Sequence, residues 1–382
     1  MVAMALKKAI IGVLALLALG GLLAYQLRGR DAAVAADGAL PKTLTIASIA
    51  YPYKGQQTYA GLTQTIIAQG WLKDRLAKKG VELVFFPVPT AVGGPLINEG
   101  FAGKRIDFAS YGDFPAIIAA SGGVPLKLVV PVGRGQNAYL IVRKGLAANS
   151  IADLKGKRIA LHRGRPWELP FSKLLDANGL ELSDFKILNI NPPASRAALA
   201  SGDIDAVFLL SDAILLEQKG AGRIIWSTKT APADWKMRAE LFARGDFVDR
   251  YPELTQIVAD AYVRAAHWSS LPENRKAVIE EAARGDTPVS VVETDYDEPR
   301  VAWRDRFSPL FDDFMVRHYQ SVADYTFAQG LVRRKVDVDA LLDRRFATQA
   351  LKNLGFDDYW QPTRVQTEAA PAITAVNGAP RS

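Results

Sequence analysis

Between residues 43 and 210, short apolar runs alternate with amphipathic segments. Thr43–Ala50 (TLTIASIA), Val81–Val88 (VELVFFPV, closed by Pro89) and Ile106–Ser110 read as strands, rich in β-branched and aromatic residues. Lys127–Val132, Tyr139–Val142, Lys157–Leu161, Asp184–Ile190 and Ala206–Leu210 continue the series. Helical spacing fills the gaps at Tyr59–Lys79 with a break at Gly70, at Pro95–Phe101, at Phe114–Ala120, and from about Pro166 and Ala194. Strands that alternate with helices predict βαβ units around largely parallel sheets, an α/β fold. Beyond Trp235 the pattern turns helical, at Leu254–Ser269, Arg275–Arg284 and most of residues 309–355. Residues 363–382 have no apolar periodicity and are predicted to be a disordered tail.

The start of the chain has its own pattern. Lys7 and Lys8 precede an unbroken apolar run, Ala9–Tyr25. A basic segment before such a run is an export signal. Ala33-Val34-Ala35 fits cleavage before Ala36, whereas Arg28 and Arg30 beyond the run suit an uncleaved anchor. A cleaved signal is favoured for residues 1–35, and either fate places the folded body in the periplasm.

Composition narrows the chemistry. The 382 residues include no Cys and three His, His162, His267 and His318. That removes thiol nucleophiles, disulfides and Cys-type metal centres, and no metal or cofactor is expected. The net charge of +7 is dispersed, without the clustered basic stripe of a nucleic-acid binder. No Gly-x-Ser-x-Gly, His-Glu-x-x-His, P-loop or Gly-x-Gly-x-x-Gly pattern occurs, which argues against an enzyme.

One internal echo stands out. Gly103…Ile106-Asp107 opens a strand that ends at Gly112-Asp113, and Gly202-Asp203-Ile204-Asp205 opens one that ends at Ser211-Asp212. Two lobes of similar build, with Asp113 and Asp212 capping the following helices, explain the echo, and so does chance recurrence of helix caps.

Several of these pieces together resemble the substrate-binding proteins of ABC importers for sulfonates, nitrate and taurine, which are type II periplasmic binding proteins. They are Gly94-Pro95-Leu96, Tyr111-Gly112-Asp113-Phe114-Pro115, Gly122-Gly123-Val124-Pro125-Leu126, Ile151-Ala152-Asp153-Leu154-Lys155-Gly156-Lys157-Arg158, and Pro193-Ala194-Ser195-Arg196-Ala197-Ala198-Leu199 before Gly202-Asp203-Ile204-Asp205. The resemblance implies two βαβ lobes with a ligand cleft between them and a helical C-terminal region. Lobe one would hold residues 41–134 and 234–362, and lobe two residues 135–233, with hinges near Gly133–Asn137 and Trp226–Trp235. It also implies a monomer that captures a small organic anion and delivers it to an ABC permease. The fold is shared with pyrimidine-synthase enzymes, whose Cys-rich motif this chain lacks. A membrane-tethered periplasmic accessory protein is the alternative reading.

In open α/β sheets ligands sit at the carboxyl ends of strands, where helix N-termini suit anions. Five such loops supply candidates. Tyr51, Tyr53 and Gln57 are ligand contacts or a plain surface loop. Gly93 and Gly94 allow close backbone approach or form a packing turn. In the third loop Tyr111, Gly112 and the Phe114 N–H are candidates, whereas Asp113 reads as a cap. In the fourth, Arg163 and Arg165 form a fork suited to a sulfonate, phosphate or carboxylate, and Trp167 stacks on ligand or packs in lobe two. Asp212 in the fifth is a cap or the partner of a cationic group. Gln136 and Asn137 in the hinge loop complete the set. Sulfonate binders usually have small hydroxyl residues in the fourth loop and Thr where this chain has Phe114. Arg165-Pro166-Trp167 therefore predicts a larger or aromatic anion, and a small, purely polar pocket would contradict that.

Overall fold

The computed structural model describes residues 39–285 and 287–362. The expectations for the export segment and for the tail fall outside these residues. The strands are β1 (Thr43–Tyr53), β2 (Gln56–Tyr59), β3 (Glu82–Pro89), β4 (Phe108–Gly112), β5 (Leu126–Val130), β6 (Tyr139–Arg143), β7 (Arg158–Ala160), β8 (Lys186–Leu188), β9 (Ala206–Leu209), β10 (Gly222–Ser227) and β11 (Ala239–Arg244). The helices are α1 (Leu62–Gln69), α2 (Trp71–Ala77), α3 (Gly94–Ala102), α4 (Asp113–Ser121), α5 (Glu168–Asp176), α6 (Pro192–Ser201) and α7 (Asp212–Gln218). They continue with α8 (Gly245–Arg250), α9 (Pro252–Ser270), α10 (Arg275–Ala282), α11 (Val289–Tyr296), α12 (Asp313–Ala328), α13 (Val338–Leu341) and α14 (Arg344–Leu354). Among them, no helix is long and apolar enough to cross a membrane.

The strands form two sheets, one per lobe, of the same design. In the first, β3, β1 and β4 run parallel, β11 lies antiparallel beside β4, and β5 antiparallel beside β11. In the second, β8, β7 and β9 run parallel, β6 lies antiparallel beside β9, and β10 antiparallel beside β6. Largely parallel sheets are thus corrected to mixed ones. The antiparallel member beside β4 or β9 is in each case the strand that follows a crossing between lobes. A chain returning from the other lobe enters from the opposite end, so it runs against its neighbours. Strands β10 and β11 are absent from the sequence prediction, because Glu240 and Arg244 hide β11 and Gly222-Arg223 masks the start of β10.

The internal echo has a structural basis. The Asp107 N–H donates to Thr45 O, and its carboxylate accepts from the Thr45 N–H at 2.8 Å. The Asp205 N–H donates to Arg158 O, and its carboxylate accepts from the Arg158 N–H at 3.0 Å. On the other side the N–H groups of Arg244 and Arg143 donate to the carbonyls of Asp107 and Asp205. Their guanidinium groups pair with the two carboxylates. Each aspartate pins three strands of its sheet, so two strand openings with the same Ile-Asp pair mark the same place in two similar lobes. The cap half of the expectation fails. Neither α4 nor α7 has a side-chain cap, and both aspartates lie in the first turn with other partners.

Alternation along the strands sends successive residues to opposite faces. Ile46, Phe108 and Leu241 join one core with α9 and α14, while Ala47, Ala109 and Phe242 join another with α4 and α12. The second sheet divides in the same way, Leu140 and Phe208 against Ile141 and Val207. The helix break at Gly70 is real: its φ of 68° ends α1 and starts α2.

Two crossings join the lobes, between β5 and β6 and between β10 and β11. They touch through the Gln136 N–H, which donates to Met237 O at 2.8 Å. Gly133 sits there at φ 90°, and a Cβ would lie 2.0 Å from Arg306 O, so no other residue fits without displacing backbone. Helix α11, expected in lobe one, packs on lobe two instead. Val291 is buried in the core with Ile214, and the Asp295 carboxylate accepts from the Tyr139 hydroxyl at 2.5 Å. An isolated apolar face in a late helical segment does not tell from sequence which lobe it covers.

Candidate functional site

The carboxyl ends of the strands in both lobes open onto one cleft of about 510 Å³. Lobe one contributes Ser48 and Tyr51 of β1, the loop from Thr90 to Gly94, and Tyr111-Gly112 at the end of β4. Lobe two contributes Arg165-Pro166-Trp167 and Ser211-Asp212. Gln136 and Asn137, in the crossing from β5 to β6, line it as well. Ten of the fourteen candidates therefore meet on one cavity: Tyr51, Gly93, Gly94, Tyr111, Gly112, Gln136, Asn137, Arg165, Trp167 and Asp212.

Four do not line it. Tyr53 and Gln57 belong to a β1–β2 hairpin rather than an open loop: Tyr53 pairs with Gln56, and Gln57 with Pro52. Phe114 is fully buried in the lobe-one core against Tyr325, and its N–H already donates to Asp113 Oδ1 at 2.6 Å. Arg163 is held away by Glu168, which accepts from its Nε at 2.5 Å and from the Gly164 N–H at 2.6 Å. The expected fork is thus a single arginine, because a buried carboxylate in the first turn of α5 claims the other.

Some that reach the cleft are committed elsewhere. The Tyr111 ring packs against Phe101 and Phe242, with centroids at 5.8 and 5.1 Å, which leaves only its hydroxyl without a partner. Asn137 donates to Asp295 and accepts from the Thr228 hydroxyl. Asp212 pairs with Arg196 at 2.9 Å rather than capping α7. Asp113 is buried: its Oδ2 lies 2.5 Å from His318 Nε2 and accepts from the Arg238 N–H. It braces the start of β11 from below the cleft.

What remains open is donor-rich. Ser48 Oγ, Tyr111 Oη, Arg165 Nη1, Trp167 Nε1 and Arg306 Nε are buried atoms of cleft-lining residues, and none has a hydrogen-bond partner among the described residues. Buried polar atoms are normally paired, so five unpaired ones lining a single cavity mark a place for an acceptor. Arg165 Nη1 lies beside Gly93 and Gly94, where α3 begins with Pro95 in its first turn. A helix start presents free N–H groups and positive partial charge. Burial lowers the Arg165 pKa, yet a guanidinium starts so far above neutrality that it stays charged. His162 Nε2 lies 3.4 Å from Arg165 Nη2. Burial first, and then the Arg165 charge, pull its pKa down to about 4, so the imidazole is neutral at pH 7.

Sequence reasoning missed one wall. Glu281, Arg284, Asp295, Tyr296 and Phe307 all line the cleft, and Glu281 accepts from the Thr65 hydroxyl at 2.9 Å. They lie far from the strand ends in sequence, on α10 and α11 or in the segments that follow them, where spacing speaks only of packing. The cleft is neither small nor purely polar: Tyr51, Tyr59, Trp167, Tyr296 and Phe307 give it aromatic walls.

Two mixed α/β lobes with a cleft at the strand ends define a class of ligand-capturing proteins. A family profile described as NMT1/THI5 like matches residues 97–273. A solved structure named as the periplasmic sulfonate-binding protein SsuA of a sulfonate ABC transporter, from Methylobacillus flagellatus KT, is 44% identical with a TM-score of 0.78. The match covers 86% of this chain and 99% of that one. A protein of Bacillus subtilis (strain 168), named as binding aliphatic sulfonates, is 24% identical over 295 residues, 76% of this chain and 86% of its own length. The desulfurization enzyme DSZB has the same fold at 17% identity and a TM-score of 0.59, covering 82% of this chain and all of its own. The chain belongs to the sulfonate, nitrate and taurine family of ABC-importer periplasmic substrate-binding proteins, with their type II fold.

Proposed function

We propose that this protein is the extracytoplasmic receptor of an ABC importer, exported by its N-terminal apolar segment. It captures a small organic anion of the sulfonate type in the cleft and presents the closed complex to an inner-membrane permease. It works as a monomer, without metal, cofactor or catalysis. The observation that carries this reading is the set of unpartnered donors lining one cleft, Ser48 Oγ, Trp167 Nε1 and Arg165 Nη1 among them, with Arg165 Nη1 beside the start of α3.

Arg165 and the Gly93-Gly94 backbone would take the anionic head, with Ser48 and Gln136 as further donors. A cavity of about 510 Å³ lies within the usual range for small-molecule sites, roughly 300–1,000 Å³. Its aromatic walls favour a ligand with an apolar or aromatic body over a bare inorganic anion. Both proposed hinges lie at the crossings, and closure around ligand is the motion such lobes perform.

The test is thermal shift against taurine, alkyl and aromatic sulfonates, sulfate esters, nitrate, phosphonates and aromatic carboxylates. A ligand at 100 times its dissociation constant stabilises by about 2.7 kcal/mol. A rise confined to sulfonates is expected, with aromatic members strongest. A folded protein with no response to any anion overturns the reading.

A further inference from the structure

The loop between β7 and α5 does more than line the cleft: it is seated on the opposite lobe. Pro166 lies over Gly112 so closely that a Cβ there would be 2.2 Å from Pro166 Cγ. Arg165 lies over Gly93 and Gly94, where a Cβ on either would be 3.5 Å from Nη1. Its Nη2 donates to Val92 O, across the cleft, at 2.8 Å. Nη1 is buried and has no partner among the described residues. The two nitrogens belong to one rigid plane, so fixing one orients the other.

We propose that Arg165 couples ligand capture to lobe closure: Nη2 latches lobe two to the Val92 carbonyl of lobe one, while Nη1 receives the oxyanion head of the ligand. The anionic half rests on the reading above, and the latch half stands on the interlobe contacts alone. A ligand on Nη1 holds the guanidinium in the plane that makes the latch. The closed lobes in turn bring Nη1 to the start of α3. Each event thus favours the other, which is the condition for a ligand to shift a conformational equilibrium. The arrangement also sets specificity. A lysine ammonium can serve a ligand or the carbonyl as a point charge, but it cannot hold both in one plane. Arg165 acts here as a positioning residue as well as a ligand contact.

The test is a distance measurement across the cleft on the full chain. The protein has no Cys, so Lys73→Cys in α2 and Lys219→Cys after α7, both exposed, take a pair of spin labels at those two sites alone. Distance distributions are recorded without ligand and with benzenesulfonate, on the Arg165, Arg165→Lys and Arg165→Ala backgrounds. The proposal requires a closed population in the free Arg165 protein that Arg165→Ala depletes at least threefold. Benzenesulfonate should enlarge it only with Arg165 present. Arg165→Lys should retain affinity within about tenfold and lose ligand-driven closure, a split that a merely structural residue would not produce. Equal closed fractions in all three backgrounds, or no closed population in the free Arg165 protein, overturn the latch. If benzenesulfonate fails to bind the Arg165 protein, the function reading fails for that ligand class, and the ligand-free comparison still decides the latch.

Discussion

Replacing Gly112 with alanine should separate closure from folding. Gly112 has φ −69° and ψ 154°, extended backbone that alanine adopts without strain. The new Cβ would stand 2.2 Å from Pro166 Cγ, 3.3 Å from Cδ and 3.4 Å from Cβ. Carbon atoms pack at about 3.5–4.0 Å, so Pro166 must retreat by more than about 1 Å. A proline ring cannot rotate away, and the loop behind it is pinned by Glu168 on Gly164. The retreat therefore carries Arg165 with it and breaks its 2.8 Å bond to Val92 O. Losing a charge-assisted hydrogen bond costs roughly 1.5–3 kcal/mol, or about 10- to 150-fold in the dissociation constant. Folding should not suffer, since a tolerated glycine-to-alanine change stabilises by about 0.4–1 kcal/mol through the unfolded chain. Calorimetric titration with the tightest sulfonate, paired with a ligand-free melt, reads both. Unchanged affinity in Gly112→Ala would refute the seat. A lowered ligand-free midpoint would show that the contact is internal to a rigid fold rather than a meeting of movable lobes.

Three other perturbations follow from the same geometry. Ser48→Ala removes a buried hydroxyl that has no partner in the fold, so affinity for sulfonates should fall by about 0.5–1.5 kcal/mol while the ligand-free melting point holds or rises. His162 has a folded pKa of about 4, below its unfolded value of about 6.5, so the unfolded chain binds more protons between them. Its contribution should destabilise the protein as pH falls from about 6.5 to about 4 and be constant below that, and melts of His162→Gln across the same range should lack that component. Asp205 is held well below the usual carboxylate range by hydrogen bonds from Arg158 and Arg143, opposed by burial. Its stabilisation is present above the unfolded pKa and is lost as pH drops through the folded one. Asp205→Asn should lower urea-unfolding stability at pH 7 by about 1–2 kcal/mol, less than a fully buried pair, because the Arg158 side chain is 42% exposed.

The parallel halves of both sheets were legible because their strands are short runs rich in β-branched and other apolar residues that alternate with helical segments. Of the two antiparallel returns, β6 was legible as Tyr139–Val142 and β11 was not. AELFAR in β11 carries a buried glutamate paired with Arg238, and charge inside a strand defeats pattern reading. The loops at strand ends were found by topology, since ligands gather there in any open α/β sheet. Which side chain points inward was not available from sequence: Arg163 and Arg165 differ only through Glu168, a partner in the next helix. The wall from Glu281 to Phe307 shows the same limit. Asp295 and Tyr296 reach the cleft because α11 packs on lobe two, Glu281 is held there by Thr65 of lobe one, and nothing local encodes either contact. The Ile-Asp echo was the most informative pair of dipeptides, because each aspartate pins three strands and so reports a tertiary arrangement from a short motif.

The most direct test of the central claim is a crystal structure of the protein with the sulfonate that raises its melting point most. The account predicts sulfonate oxygens within about 3.2 Å of Arg165 Nη1 and the Gly94 N–H, with the organic body against Trp167 or Tyr51. A sulfonate bound elsewhere, or one in the cleft with Arg165 Nη1 still unpartnered, would contradict it.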